Sequence, residues 1–156
     1  MTPAVHSLER AGIDFRVLSY EPASATAGDI GVAAARSLGV PEHSVFKTLV
    51  CEISQGELVV AIVPVAAKLN LKLLARAAGA KAAAMAPPAR AEKATGYVTG
   101  GISPFGQKKR LRTFVAAQAA SLETIHVSAG KRGLELALSP ADLIDATSAV
   151  VCELTA

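Results

Sequence analysis

One lysine stands inside an apolar, β-rich run, Ser44-Val45-Phe46-Lys47-Thr48-Leu49-Val50-Cys51. In an extended strand Val45, Lys47, Leu49 and Cys51 share one face, and Phe46, Thr48 and Val50 the other. Such a lysine either snorkels to water from an edge strand or aims its ammonium into a pocket. In a pocket it can bind an anion or polarise a carbonyl. A second stretch with chemical potential runs from Gly100 to Arg110, Gly-Gly-Ile-Ser-Pro-Phe-Gly-Gln-Lys-Lys-Arg. Two adjacent glycines let backbone N–H groups approach a ligand closely, and three consecutive cations follow. A third stretch, Ser128-Ala129-Gly130-Lys131-Arg132-Gly133, repeats the glycine-basic theme. Read alone, each glycine stretch is also compatible with a tight turn and each cation cluster with a solvated face. Together they suggest a small-molecule pocket beside a polyanion-binding surface.

Several reaction classes lack their motifs. The stretch after Gly101 has Gln107 where a nucleotide-binding P-loop needs lysine and Lys108 where it needs Ser or Thr. No Gly-x-Gly-x-x-Gly, His-Glu-x-x-His or Gly-x-Ser-x-Gly pattern occurs. His6, His43 and His126 lie in unrelated segments and read as surface or supporting residues. Cys51 sits four strand residues from Lys47, about 13 Å away at the usual rise, too far for direct activation. Cys51 and Cys152 follow no metal-ligand spacing and read as reduced, buried thiols of a cytoplasmic protein. Neither a metal nor a cofactor is called for.

The elements that must position these residues follow from pattern and punctuation. The chain has 156 residues, enough for one compact domain spanning 1–156. Hydrophobic residues make up 51% and charged residues 19%, which excludes a disordered chain. The excess of 16 Lys and Arg over 13 acids permits nucleic-acid binding without arguing for it. The N-terminal residues show no signal-peptide pattern, and no apolar run approaches a membrane span. Thr2-Pro3 opens a helix that Gly12 stops. A short strand from Phe15 ends near Tyr20, and a loop occupies 21–28. Helices are predicted over Ile30–Leu38, Leu69–Ala78, Pro88–Ala94 and Pro140–Ala146. Strands are predicted over Val45–Ile53 and Glu57–Val65, joined by a glycine turn at Ser54-Gln55-Gly56, then Leu111–Val115, Thr124–Val127, Leu134–Leu138 and Ala149–Glu153. The order lacks a strict βαβ rhythm and indicates an α+β fold, a mixed, barrel-like sheet with surrounding helices.

The combination of Thr2-Pro3-Ala4, Phe46-Lys47-Thr48-Leu49, Gly96-Tyr97 leading into Gly100–Arg110, and Ile125–Leu134 resembles the YbaK/EbsC family over nearly the whole chain. Members of that family are Cys-tRNA(Pro) deacylases related to the editing domain of bacterial prolyl-tRNA synthetase. The resemblance implies removal of cysteine mischarged on tRNA(Pro), without a metal or cofactor, in a ternary complex with the synthetase. It assigns Lys47 and Gly101 catalytic roles. Tyr20, Ile30, Thr48, Gly100, Ile102, Ser103, Pro104, Ser128 and Gly130 become substrate-binding positions. Lys108, Lys109, Arg110, Lys131 and Arg132 become tRNA contacts. Related sequences often carry an aromatic residue where this chain has Ile30, so an aliphatic pocket wall is expected there. The implied mechanism uses the substrate's own thiol as nucleophile, with backbone N–H groups near Gly100–Ile102 stabilising the oxyanion. The alternatives are a deacylase for another misacylated tRNA, such as Ala-tRNA(Pro), and a non-catalytic tRNA-binding module that docks on the synthetase.

Overall fold

A computed structural model of the chain describes residues 1–21 and 30–155. The predicted loop over 22–28 and the side chain of Ile30 lie outside the described residues. Five helices are present among them: α1 (Pro3–Arg10), α2 (Ile30–Leu38), α3 (Leu71–Ala78), α4 (Pro88–Thr95) and α5 (Pro140–Thr147). Eight strands accompany them: β1 (Arg16–Ser19), β2 (Phe46–Ile53), β3 (Leu58–Pro64), β4 (Ala83–Met85), β5 (Arg112–Ala116), β6 (Ile125–Lys131), β7 (Leu134–Leu138) and β8 (Val150–Cys152). No helix among the described residues is long and apolar enough to cross a membrane.

Capping explains where several helices begin. The side chains of Thr2, Asn70 and Ser139 accept hydrogen bonds from the backbone N–H groups of Val5, Leu73 and Asp142. Each satisfies one of the donors that a helix start leaves unpaired. The helix α3 ends at Gly79, which takes up a left-handed conformation.

The strands form two sheets. One is antiparallel with order β1-β7-β6, and the other is mixed with order β4-β2-β3-β5-β8. A parallel bridge between Val45 and His126 joins them at the start of β2. The expectation of a mixed sheet with surrounding helices holds; the barrel-like description reduces to two bridged sheets, not a closed barrel. The centre of the mixed sheet is dry: Val59 through Val63 have no exposed surface at all. Strand β3 lies between β2 and β5, with residues of both faces buried, so it reads as a continuous apolar run without alternation.

Two departures from the predicted elements shape the site. The stretch from Ser128 is not a loop: Ser128–Lys131 completes β6, with an irregularity in register between Ser128 and Lys131, and Arg132-Gly133 makes the turn into β7. The strand β4 was not predicted, because Ala-Ala-Met carries no β signature. It pairs with β2 only at Cys51–Ile53. Among the described residues, the β4-side edge of Phe46–Val50 therefore lacks a ladder strand, apart from one hydrogen bond from the Ala86 N–H to the Val50 carbonyl.

Candidate active site

A cavity of about 510 Å³ opens along that free edge of β2. Its volume suits a small organic ligand. Consecutive residues Val45 to Val50 all border it, because a strand seen from its edge offers backbone and both side-chain directions. The lysine is thus neither a surface snorkel nor a core residue. Lys47 is half-buried on the cavity wall, and burial holds its pKa below the ordinary lysine value.

The other walls come from distant parts of the chain. Gly31 near the start of α2 packs so tightly on Val65 that a Cβ would overlap the valine side chain. That contact closes one side, and both residues border the cavity. Met85, Ala86, Pro88 and Ala91 close another, from β4 and α4. Thr99, Gly100 and Ile102 contribute the glycine stretch, Ser128 contributes β6, and Tyr20 and Glu135 complete the wall. Of the positions assigned from sequence, Tyr20, Lys47, Thr48, Gly100, Ile102 and Ser128 therefore meet around one space.

Four do not border it. Ser103 and Pro104 are buried beneath the glycine stretch. The Ser103 hydroxyl accepts a hydrogen bond from the Phe105 N–H, and its carbonyl accepts one from the Gln107 side chain. Both residues are buried within the stretch and do not border the cavity. The Gly101 N–H donates to the Val98 carbonyl at 2.9 Å, so it is spent on a turn. Among the described residues, the N–H groups of Gly100 and Ile102 have no such partner.

The glycines have structural reasons that the sequence reading assigned to ligand approach. A Cβ on Gly101 would lie 3.3 Å from the backbone of Lys131 and Arg132, and one on Gly100 would lie 3.0 Å from the Arg132 guanidinium. The two glycine-basic segments therefore touch: the first lies on the turn of the second. Gly130, the fourth position off the wall, serves Tyr97. Its φ is +100°, and a Cβ there would lie 2.5 Å from the tyrosine ring. Tyr97 is 4% exposed and donates its hydroxyl hydrogen to the Phe105 carbonyl, tying the glycine stretch to β6. Burial pushes its pKa up to about 12, so it remains a neutral donor. Gly130→Ala is expected to cost about 1–3 kcal/mol through left-handed strain and overlap with the ring. Chemical denaturation measures it, and unchanged stability would refute this role for Gly130.

The five cations assigned to tRNA are all exposed, and among the described residues none forms an ion pair. Lys108 lays its alkyl stem against Gly96, and Arg110 donates to the Ser148 hydroxyl. Arg132 reaches Gly100, so the basic surface begins at the cavity's rim.

Sequence reasoning missed Glu135. It is 6% exposed, borders the cavity, and pairs in register with Ser128 of β6 and Leu18 of β1. Burial pushes its carboxyl up to about 8. Tyr20 is also raised, chiefly by burial, with the charge of Glu135 adding to the effect. Among the described residues, no histidine or cysteine borders the cavity. His126 is buried elsewhere and hydrogen-bonded to Ser44, while burial pushes the Cys51 thiol up to about 11, an inert packing residue.

The cavity thus has one ammonium on its wall, the glycine stretch beside it and exposed cations near its rim. The matching family model describes an aminoacyl-tRNA editing domain and covers residues 25–146. The chain belongs to that family and is an aminoacyl-tRNA deacylase. A relative in Enterococcus faecalis (strain ATCC 700802 / V583), EbsC, provisionally named a Cys-tRNA(Pro)/Cys-tRNA(Cys) deacylase, is 40% identical over 121 residues, 78% of this chain and 74% of its own. Among solved structures, one provisionally described as a trans-editing enzyme for prolyl-tRNA synthetase superposes with a TM-score of 0.85 at 22% identity, covering 100% of this chain and 99% of its own. A protein described only as hypothetical gives 0.87 at 24% identity, covering 99% and 100%. These two likenesses bear on the fold alone.

Proposed function

We propose that the protein removes cysteine from misacylated tRNA(Pro). The observation that carries this reading is that Lys47, Gly100 and Ile102 line one cavity, with Arg132 beside Gly100 and neither histidine nor cysteine on the wall among the described residues. Such a site suits a substrate that brings its own nucleophile. The cysteinyl thiolate attacks its ester carbonyl carbon, a C–S bond forms, and the bond to the ribose oxygen breaks. The tRNA leaves with a free hydroxyl after taking up a proton, and cysteine leaves as a cyclic thiolactone. The protein's task is then to fold the substrate for attack, worth roughly 7–11 kcal/mol in well-oriented intramolecular reactions. The N–H groups of Gly100 and Ile102 receive the oxyanion, because the Gly101 N–H is spent on its turn. Lys47 anchors the terminal adenosine or the aminoacyl end as a cation, not as a base.

The exposed cations Lys108, Lys109, Arg110, Lys131 and Arg132 meet tRNA phosphates, with affinity that falls as salt rises. A phosphate-reading surface carries no tRNA identity by itself, so choice of tRNA(Pro) comes from a complex with prolyl-tRNA synthetase. The test is a deacylation panel on tRNA(Pro) carrying cysteine, alanine, serine or proline, with and without the synthetase. Cysteine should be lost, while serine, which differs by oxygen for sulfur, should be retained. Rapid loss of serine would sink the thiol-assisted step. Selective loss of alanine would redirect the reading to Ala-tRNA(Pro), and tight tRNA binding with no ester loss would overturn deacylation.

A further inference from the structure

Two buried side-chain polar atoms lack a hydrogen-bond partner among the described residues, Thr48 Oγ1 and Glu135 Oε2. Both residues border the same cavity. Buried polar groups are ordinarily paired, so two orphans on residues that line one space point to a ligand that pairs them. Their chemistry narrows the ligand. Among the described residues, Glu135 is the only carboxyl group on the wall, and Lys47, the only cation there, makes no ion pair with it. A buried carboxylate without a partner is unfavourable, and a cationic donor is its best complement. An aminoacyl ester always offers one: the α-ammonium, one carbon from the scissile carbonyl.

We propose that the Glu135 carboxyl receives the free α-amino group of the aminoacyl ester, and that the cavity thereby rejects esters whose amine is acylated. The assignment rests on the deacylase reading above and adds the group by which the site recognises an amino acid as such. In the empty cavity burial favours the protonated carboxyl. An arriving ammonium reverses that preference, because the opposite charge stabilises the carboxylate. An acylated amine brings neither the charge nor the three donors. The cavity is thereby selective against esters of nascent or N-blocked chains, which share the ribose and the carbonyl.

The test uses 3′-(L-cysteinylamino)-3′-deoxyadenosine and its N-acetyl derivative, which keep the adenosine and the amino acid but cannot be cleaved. Dissociation constants are measured by calorimetry on the wild-type protein and on Glu135→Gln. Losing a charged hydrogen bond of this kind corresponds to on the order of 10- to 100-fold in affinity. Wild type should prefer the free amine by that factor. Glu135→Gln should lose most of the preference while binding the acetylated compound as before. Equal affinities in wild type, no binding of the free amine, or an undiminished preference in the variant would each overturn the assignment. The wild-type comparison decides it even where the variant folds poorly. Deacylation of Cys-tRNA(Pro), run in parallel, separates the two readings. Ester loss without an amine preference sinks only the role of Glu135, whereas an amine preference without ester loss sinks only cysteine editing.

Discussion

Replacing Lys47 with methionine should lower kcat/KM for deacylation of Cys-tRNA(Pro) at least 100-fold and leave the fold intact. Methionine keeps the length and apolar stem and removes only the charge. The lysine is half-buried and makes no ion pair among the described residues, so the protein loses no folded-state partner with it. Its pKa is held down by burial, which means the ammonium itself costs free energy in the empty site. Removing it should leave denaturation unchanged or shift it slightly toward greater stability. Against a bound anion or a developing oxyanion the same ammonium is strongly favourable, and deletion of one such donor typically costs about 2.7–4 kcal/mol. Arginine should restore activity only in part, since a planar fork does not reproduce a point charge at one atom. Full activity in Lys47→Met, measured as release of cysteine at subsaturating substrate, would remove Lys47 from the mechanism.

Lys47 was legible in sequence because a charge within an apolar strand is conspicuous without any knowledge of neighbours. The β2–β3 hairpin was equally plain: Gln55 and Gly56 adopt the positive φ values that the Ser54-Gln55-Gly56 turn suggested. Thr2-Pro3 and Ser139-Pro140 announced α1 and α5 through chemistry local to the residues themselves. What stayed hidden depends on long-range contact. Glu135 sits in Leu134-Glu135-Leu136-Ala137-Leu138, an alternation that places the glutamate on a presumed solvent face. In the fold that face turns toward the cavity, and four of the five residues of β7 are buried. Gly101 and Gly130 were visible as glycines, yet their reasons, the Lys131-Arg132 backbone and the Tyr97 ring, come from opposite ends of a register that no local signal encodes. Ser103 and Pro104 belong to the same class. Their types suit a ligand loop, and only packing reveals that they face inward.

The stability of the protein should fall between pH 5 and pH 9 in a manner that Glu135→Gln abolishes. Burial raises the Glu135 carboxyl from its ordinary value of 4.5 to about 8. Below the lower value both folded and unfolded chains hold the proton, and the carboxyl places no charge in the cavity. Between the two values the unfolded chain releases the proton and the folded chain keeps it, so each rise in pH favours unfolding. Above the upper value both forms are ionised and the full cost of the buried charge is present. A shift of this size corresponds to on the order of 3–5 kcal/mol across the window. Tyr20, Lys47 and Arg132, the other titratable or charged groups around this carboxyl among the described residues, are present in both proteins, as is His126. What they contribute to stability largely cancels when the variant is subtracted from wild type. Urea denaturation of both proteins at several pH values should show curves that converge near pH 5 and separate by pH 9, with the glutamine variant more stable. Parallel curves would mean that the carboxyl is not held in a dry site. A ligand with a free ammonium should narrow the gap most above pH 7, since it offsets the charge where the empty cavity bears the largest cost. The same buried carboxyl that weakens the empty protein is thus the feature that makes its pocket receptive to an amine.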